Sequence, residues 1–399
     1  MKILYINALY SPFIQGGAEI SLKAIAEGMQ ATGHEVVVLS LKPNGVLSMD
    51  QVDGVKVYRA ALKNVYWPFE KTRAGKMDRM LWHVRDRYNT AMKQAVKVVL
   101  EREKPDIVSC HNLVGWSVAI WDEIKSAHIP IVQVLHDLYL LCPNSDMFKG
   151  NASCDKQCFS CALLRQKHKK LSTQVDAVVG ISKFILGRFE QYQYFNKAKR
   201  YVIYNTREIP QTPLPPPRID GSTFTVGYIG TLAEKKGIEW LIDQFQRLSI
   251  KAQLLIAGGG KKDYELFLQA KARGTNISFI GYTNPEAFYK TIDVLVVPSL
   301  WQEPLGMVAI EALAYHVPVI ANAVGGLQET VKDGFNGLLC THEKNSSLGD
   351  AIQRLYDNPL LYNTLVKNAR LSVQVILSKQ RMINEYSNVL NETIHGNKG

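Results

Sequence analysis

The sequence has no apolar run approaching the roughly 20 residues that a membrane-spanning helix needs; its longest apolar stretches are cut by Gly, Pro or charge. The opening residues Met1-Lys2-Ile3-Leu4-Tyr5-Ile6-Asn7 lack the charged, then apolar, then small-residue layout of a secretion signal. Both absences lead us to expect a cytoplasmic protein, whose six Cys stay reduced instead of pairing as structural disulfides. No nucleic-acid-binding motif is present, so we expect no nucleic-acid partner. Acidic residues are outnumbered by basic ones in the front half: residues 1–200 carry +10 of the net charge of +11. Such a field attracts anionic lipid headgroups or phosphate-bearing molecules.

What is present is ordinary globular composition, 46% apolar and 21% charged, at a length that exceeds one usual hydrophobic core. Short apolar segments alternate with helical ones. Strands are expected near Lys2–Leu9, His34–Leu41, Val55–Ala60, Asp106–Cys110, Ile129–Leu135, Ala177–Ile181 and Arg200–Tyr204. Helices are expected from about Ala18 to Ala31 and, as one long helix, within Asp78–Lys104. After Pro210-Gln211-Thr212-Pro213-Leu214-Pro215-Pro216-Pro217, a stiff strand-breaking stretch, the alternation resumes near Thr223–Gly230, Ala252–Ala257, Ile277–Ile280, Val294–Pro298 and Val317–Ala321. This rhythm predicts α/β architecture with two Rossmann-like domains of parallel sheets, at 1–205 and 222–378. A linker at 206–221 separates them, and a final helix at 379–399 returns to the first domain. Ligands of such sheets sit beyond the carboxyl ends of the strands, so the functional residues belong in loops facing an interdomain cleft.

Three strand-end loops carry chemistry. Gln15-Gly16-Gly17-Ala18-Glu19 joins the first strand to the first helix, where missing Cβ atoms and free helix N–H groups suit a phosphate, or simply make a tight turn. Gly230-Thr231-Leu232-Ala233-Glu234-Lys235-Lys236-Gly237 occupies the equivalent place in the second domain and sets two ammonium groups beside a helix start. That suits a diphosphate, although solvated lysines would read the same way. In Pro298-Ser299-Leu300-Trp301-Gln302-Glu303-Pro304-Leu305-Gly306-Met307-Val308-Ala309-Ile310-Glu311, Glu303 and Glu311 are about two helical turns apart and would share a face if the helix began at Pro304. Carboxylates there accept vicinal sugar hydroxyls, and the amides of Leu305, Gly306, Met307 and Val308 can receive a sugar or phosphate oxygen. A helix with two solvated Glu is the alternative.

The Glu303 to Glu311 spacing, with Gly16-Gly17-Ala18-Glu19, Lys236-Gly237 and Val324-Gly325-Gly326-Leu327-Gln328-Glu329-Thr330, resembles the retaining GT-B glycosyltransferases of family 4. The resemblance implies a hexosyl transfer from a nucleotide-sugar donor to a glycan or lipid-linked acceptor, in bacterial O-antigen, capsule or exopolysaccharide assembly. It assigns the donor diphosphate to Lys236, the ribose hydroxyls to Glu311, and the donor sugar to Glu303 with the backbone after it. Gly17 would approach the diphosphate, and His136 of Val134-Leu135-His136-Asp137 would contact the transferred sugar. It implies front-face attack without an enzymic nucleophile and, since Asp-x-Asp is absent, no catalytic metal. Thr231 stands where the family commonly has Arg, so Lys235 is the candidate replacement. Rival readings are a nucleotide-sugar epimerase and a non-catalytic nucleotide-sugar binding subunit.

Cys142, Cys154, Cys158 and Cys161 crowd a polar insertion at about 142–161. Four soft ligands there fit a structural zinc, with an iron–sulfur cluster or free thiols as alternatives. Basic residues Lys71, Arg73, Lys76, Arg79, Arg85 and Arg87 alternate with Trp67, Phe69, Met77, Met80, Leu81 and Trp82, and Leu163-Leu164-Arg165-Gln166-Lys167-His168-Lys169-Lys170 adds a second basic segment. The mixture suits contact with the anionic inner face of the cytoplasmic membrane, or equally a solvated charged helix.

Overall fold

The computed structural model describes residues 1–70, 74–218, 221–344 and 346–396. In chain order it begins β1 (Lys2–Ile6), α1 (Gly17–Ala31), β2 (Glu35–Lys42), β3 (Ser48–Val52), β4 (Val55–Ala61), α2 (Lys76–Asp86), α3 (Thr90–Glu103), β5 (Ile107–Cys110), α4 (Ala119–Ser126) and β6 (Ile131–Leu135). A short hairpin, β7 (Phe148–Lys149) and β8 (Ala152–Ser153), precedes α5 (Phe159–Leu171), β9 (Ala177–Gly180), α6 (Lys183–Gln191) and β10 (Lys199–Val202). The rest alternates through β11 (Phe224–Ile229), α7 (Ile238–Phe245), β12 (Ala252–Ala257), α8 (Lys262–Lys271), β13 (Ile277–Gly281), α9 (Pro285–Tyr289) and β14 (Val294–Val297). It closes with α10 (Met307–Ala314), β15 (Val319–Asn322), α11 (Leu327–Thr330), β16 (Gly337–Cys340), α12 (Ser347–Asp357), α13 (Pro359–Val373) and α14 (Lys379–Gly396).

Two compact units result. The first takes Met1–Met147, Asp155–Thr206 and the chain from Lys379 onward; the second takes Phe148–Cys154 and Arg207–Ser378.

The first unit holds a sheet ordered β10-β9-β6-β5-β1-β2-β4-β3, parallel except for the β3–β4 pair. Ile3, Val37, Ile107, Val132 and Val178 on its inner strands are fully buried, as expected where helices cover both faces of a parallel sheet. Winding runs outward from β1 through β2 on one side and from β5 through β6 on the other, so the order reverses at the β1/β5 boundary. The carboxyl ends of β1, β5 and β6 lead directly into Asn7, His111 and His136. The last helix, α14, belongs to this unit and packs on α1. Its buried Met382, Ile383, Tyr386, Val389 and Leu390 recur at helical spacing and present one apolar stripe.

The single helix expected within Asp78–Lys104 is two helices, α2 and α3. Asn89 interrupts it: its backbone N–H donates to Ser117 Oγ at 2.8 Å and its side chain donates to the Lys63 carbonyl at 2.9 Å. An amide committed to a side chain cannot continue the helical ladder.

The second unit holds a parallel six-stranded sheet, β13-β12-β11-β14-β15-β16, whose order reverses at β11/β14. Its core joins Phe224, Val226, Leu254, Ile256, Val294, Val296 and Ile320 from the strands to Leu241, Leu348, Ile352 and Leu365 from the helices. The Pro-rich stretch expected as a linker lies along this unit. His316 Nε2 is 3.3 Å from the Thr212 carbonyl, Arg370 donates to the Ile209 carbonyl at 3.2 Å, and Arg218 sits 4.5 Å from the Phe224 ring centroid. Proline lacks N–H groups, so this segment is held through its carbonyls and by stacking.

Candidate functional site

In the second unit, the β11/β14 reversal brings two separated motifs together. The Lys235 carbonyl accepts from Leu300 N–H at 2.9 Å and Trp301 N–H at 3.3 Å, pinning the loop after β11 to the loop after β14. Gly237, at φ +71°, makes this approach feasible, because a Cβ there would stand 2.0 Å from the Pro298 carbonyl oxygen. Lys236 Nζ then reaches Glu303 Oε1 at 2.6 Å. Ser299 Oγ donates to the same oxygen at 2.7 Å and Trp301 Nε1 at 2.9 Å. Lys235 Nζ lies 4.6 Å from the Trp301 ring centroid, a cation–π contact.

Glu303 is only 8% exposed. Burial alone would push its pKa up, but the Lys236 charge and the donors Lys236, Ser299 and Trp301 outweigh it and hold the carboxyl below its ordinary value. Its backbone is fixed as well: Gly326 N–H donates to the Glu303 carbonyl at 2.7 Å. A Cβ on Gly325, at φ +56°, would come within 2.4 Å of that oxygen.

The helix after Glu303 begins at Met307, with Gly306 at φ +82° as its N-cap, and not at Pro304. Glu303 therefore precedes the helix while Glu311 rides on it. The two carboxylates keep different company, since Glu311 Oε1 faces Arg207 Nε at 3.4 Å and Oε2 accepts from Tyr289 Oη at 3.1 Å. Burial raises the Glu311 pKa, with Arg207 and Tyr289 only partly offsetting it. Leu305 turns its side chain into the core and its carbonyl accepts from Thr330. Pro304 packs closely against Gly326, while Met307 and Val308 are half-buried at the helix start. The exposed Thr231 contributes its carbonyl to Tyr228 Oη at 2.9 Å.

In the first unit, the Gly-Gly turn caps α1. The Gly16 N–H donates to Glu19 Oε2 at 2.8 Å, and Gly17 opens the helix. His136 meets His111: its Nε2 lies 2.8 Å from His111 Nδ1, with the rings stacked at 5.1 Å. His111 Nε2 is 3.2 Å from Ser109 Oγ. Burial holds His136 down to about 4. It also lowers His111 well below its ordinary value, with His136 adding to the effect. Asn7 Oδ1 accepts from Asn112 N–H at 2.8 Å, and Asp137 Oδ1 accepts from Tyr139 N–H at 2.8 Å, tying the ends of β1, β5 and β6 into one constellation.

The sequence reading missed His111, Arg207, Tyr289, Ser299 and Trp301. His111 carried a detectable signal, a His-Asn pair at the carboxyl end of an apolar strand.

Cys158 and Cys161 sulfurs lie 3.2 Å apart, and Cys161 and Cys142 sulfurs 3.9 Å apart. Cys154 follows the hairpin that belongs to the second unit. Among the described residues no group of three or more His, Cys, Asp and Glu side chains is arranged to hold a metal ion.

Of the expected interfacial residues, Lys71 and Arg73 lie outside the described residues. Trp82 is buried, donating from Nε1 to the Tyr66 carbonyl at 3.0 Å, and Arg165 and His168 are buried too. Met77, Met80, Leu81 and Val84 on α2, and Phe159 and Leu163 on α5, are exposed. No helix among the described residues is long and apolar enough to cross a membrane.

Residues 15–208 match the family model "Glycosyltransferase Family 4", and residues 214–372 match "Glycosyl transferases group 1". An uncharacterized 42.6 kDa protein in the cps region of Klebsiella pneumoniae is 31% identical over 82% of this chain and 87% of its own. An uncharacterized glycosyltransferase of Methanocaldococcus jannaschii is 28% identical over 98% of this chain and 97% of its own. The structure of Anabaena HepE in complex with UDP and glucose superposes with a TM-score of 0.71, at 20% identity, over 98% of this chain and all of that one, and it shares the GT-B fold. With both halves matched and the fold shared, the chain belongs to the group 1 glycosyltransferases and is a transferase enzyme.

Proposed function

We propose that the enzyme is a retaining glycosyltransferase that moves a hexosyl group from a nucleotide sugar to a glycan or lipid-linked acceptor in surface-polysaccharide assembly. The observation that carries this reading is the convergence of Lys236, Ser299 and Trp301 on Glu303 Oε1. With Oε1 engaged by three donors, Oε2 accepts from a donor-sugar hydroxyl. Lys236, with Lys235 beside it in place of the arginine that Thr231 replaces, meets the diphosphate. The carboxylate of Glu311 accepts from the ribose hydroxyls, and the amides opening α10 add donors at a helix N-terminus.

On this reading the charge that develops on the departing diphosphate is met by ammonium groups and backbone N–H, with no catalytic metal. The bond from the anomeric carbon to the diphosphate oxygen breaks, the acceptor hydroxyl attacks from the same face, and its proton passes to the departing phosphate oxygen. His136 Nδ1, buried and without a hydrogen-bond partner among the described residues, is the donor or acceptor left to meet the transferred sugar. The polysaccharide setting is supported by the Klebsiella relative in a cps region, and the nucleotide-sugar donor by the UDP complex of HepE.

The first unit carries the positive field, and the exposed apolar residues of α2 and α5 lie among its bases. On that ground we place the working enzyme at the inner face of an anionic membrane. The decisive experiment is a nucleotide-sugar panel read by thermal shift, followed by proton NMR of the product made from the stabilising donor. An axial donor should give an axial glycoside. An inverted product would overturn the retaining mechanism, and donor epimerisation without an acceptor would overturn transfer.

A further inference from the structure

Helices α2 and α5 of the first unit meet along a seam of bases. Arg79, His83 and Arg87 follow one another at one-turn spacing along α2, and Arg165 and His168 lie one turn apart on α5. Arg87 donates to Gln166 Oε1 at 3.3 Å, and Arg165 Nη1 lies 3.1 Å from His168 Nε2, so the two rows face each other. Arg165 and His168 are 0% exposed. Yet Arg165 Nε and Nη2, His168 Nδ1, His83 Nδ1, Arg79 Nε and Arg87 Nε are all buried without hydrogen-bond partners among the described residues. Burial, then Arg165 and Arg79, push His83 down to about 4. Burial, then Arg165 and Arg87, lower His168 well below its ordinary value.

One acid sits here, Asp86. It is already bonded to Gly115 N–H at 3.0 Å and to Tyr139 Oη, and burial raises it to about 6. Each buried donor left without a partner costs free energy, so a seam that gathers several of them beside three guanidinium groups suits a compensating anion. Tyr139 connects the seam to the proposed reaction centre: its ring lies 4.3 Å from the Arg165 guanidinium and its N–H is bonded to Asp137, next to His136.

We infer that the α2/α5 seam is a binding site for a phosphate or diphosphate group carried by the acceptor. The inference deepens the proposed transfer and rests on the first unit being the acceptor half. A dianion there accepts from the Arg79, Arg87 and Arg165 guanidinium groups and from the two imidazoles. The exposed apolar residues Met80 and Leu81 on α2 lie beside it, where a lipid tail attached to that phosphate would run.

The test is calorimetric titration of the full chain carrying Lys236→Ala, which silences the donor clamp, with inorganic diphosphate at fixed ionic strength. One equivalent should bind, and Arg79→Gln/Arg87→Gln should weaken binding at least tenfold while leaving nucleoside-diphosphate affinity of the otherwise native enzyme within twofold. His83→Gln, a milder change, should weaken it about threefold if the double variant folds poorly. Farnesyl diphosphate distinguishes the sources. Binding tenfold tighter than diphosphate, and lost in Met80→Ser/Leu81→Ser, assigns the phosphate to a lipid; equal binding assigns it to a soluble phosphate. Either supports the site. Absence of diphosphate binding in the Lys236→Ala protein, or binding unchanged by the α2 substitutions, overturns it, whereas loss of nucleoside-diphosphate binding alone would count against the donor assignment instead.

Discussion

Lys236 Nζ lies 2.6 Å from Glu303 Oε1, each contributed by a loop on one side of the strand-order reversal in the second unit. Replacing Glu303 by Gln keeps its shape but removes the charge that Lys236 and two further donors face. We expect kcat/KM to fall on the order of 10²-fold, as when one preorganised transition-state contact is lost, and stability by about 1–3 kcal/mol. Steady-state kinetics and urea unfolding measure both, and a variant as active as the native enzyme would contradict the placement of Glu303 on the donor sugar.

Glu311 tests the other end of the donor. Glu311→Ala should raise the Kd of the nucleoside diphosphate roughly tenfold, the value of one or two charge-assisted hydrogen bonds, with smaller effects on kcat. Its raised pKa adds a sign: the carboxylate form is lost at a higher pH than for an ordinary glutamate, so donor affinity should weaken as acid is added, and Glu311→Gln should abolish that dependence. Isothermal titration at several pH values decides it.

The His111–His136 pair is held neutral by burial. Histidine titration should therefore leave kcat level between about pH 6 and 8. The imidazole signals of His136 in NMR should move only as pH approaches about 4. A midpoint near the ordinary value of 6.5 would contradict the burial described. His136→Ala should lower kcat about 10²-fold with donor Kd changed less than threefold.

Asp86 links pH to folding. Its folded pKa of about 6 lies above the ordinary 3.8. The unfolded chain therefore releases this proton first, and stability falls as pH rises from about 4 to about 6, by at most about 3 kcal/mol. Asp86→Asn should flatten that slope in denaturant midpoints measured from pH 4 to 7. A slope unchanged by the substitution would exclude Asp86 as its source.

The cysteine spacing supports a structural zinc as a proposal from sequence alone. Elemental analysis should return about one zinc per chain, and Cys158→Ser should lose it together with thermal stability. Metal-free protein of unchanged stability would leave the sulfurs of Cys142, Cys158 and Cys161 as plain thiols.

The α/β alternation was legible because strands buried on both faces, such as Val294–Val297, are near-continuous apolar runs. Lys236 and Glu303 were legible as motif residues, but their contact was not, because it depends on strand order and not on spacing. Arg207 as the partner of Glu311 had no local signal at all. The bases of α2 and α5 misled, since a charged stripe reads as solvated until a second helix is found to cover it. The break at Asn89 was likewise invisible, being made by Ser117 and Lys63 far along the chain.

The membership of α14 in the first unit sets an order of maturation during synthesis. Every strand of that unit has been synthesised by Val202, yet the apolar stripe of α14 that packs on α1, Ile383 against Gly28, arrives only after the entire second unit has been translated. The second unit can thus complete its core while the first still waits with an uncovered helix face, and removing residues 379–396 would leave that face open for good.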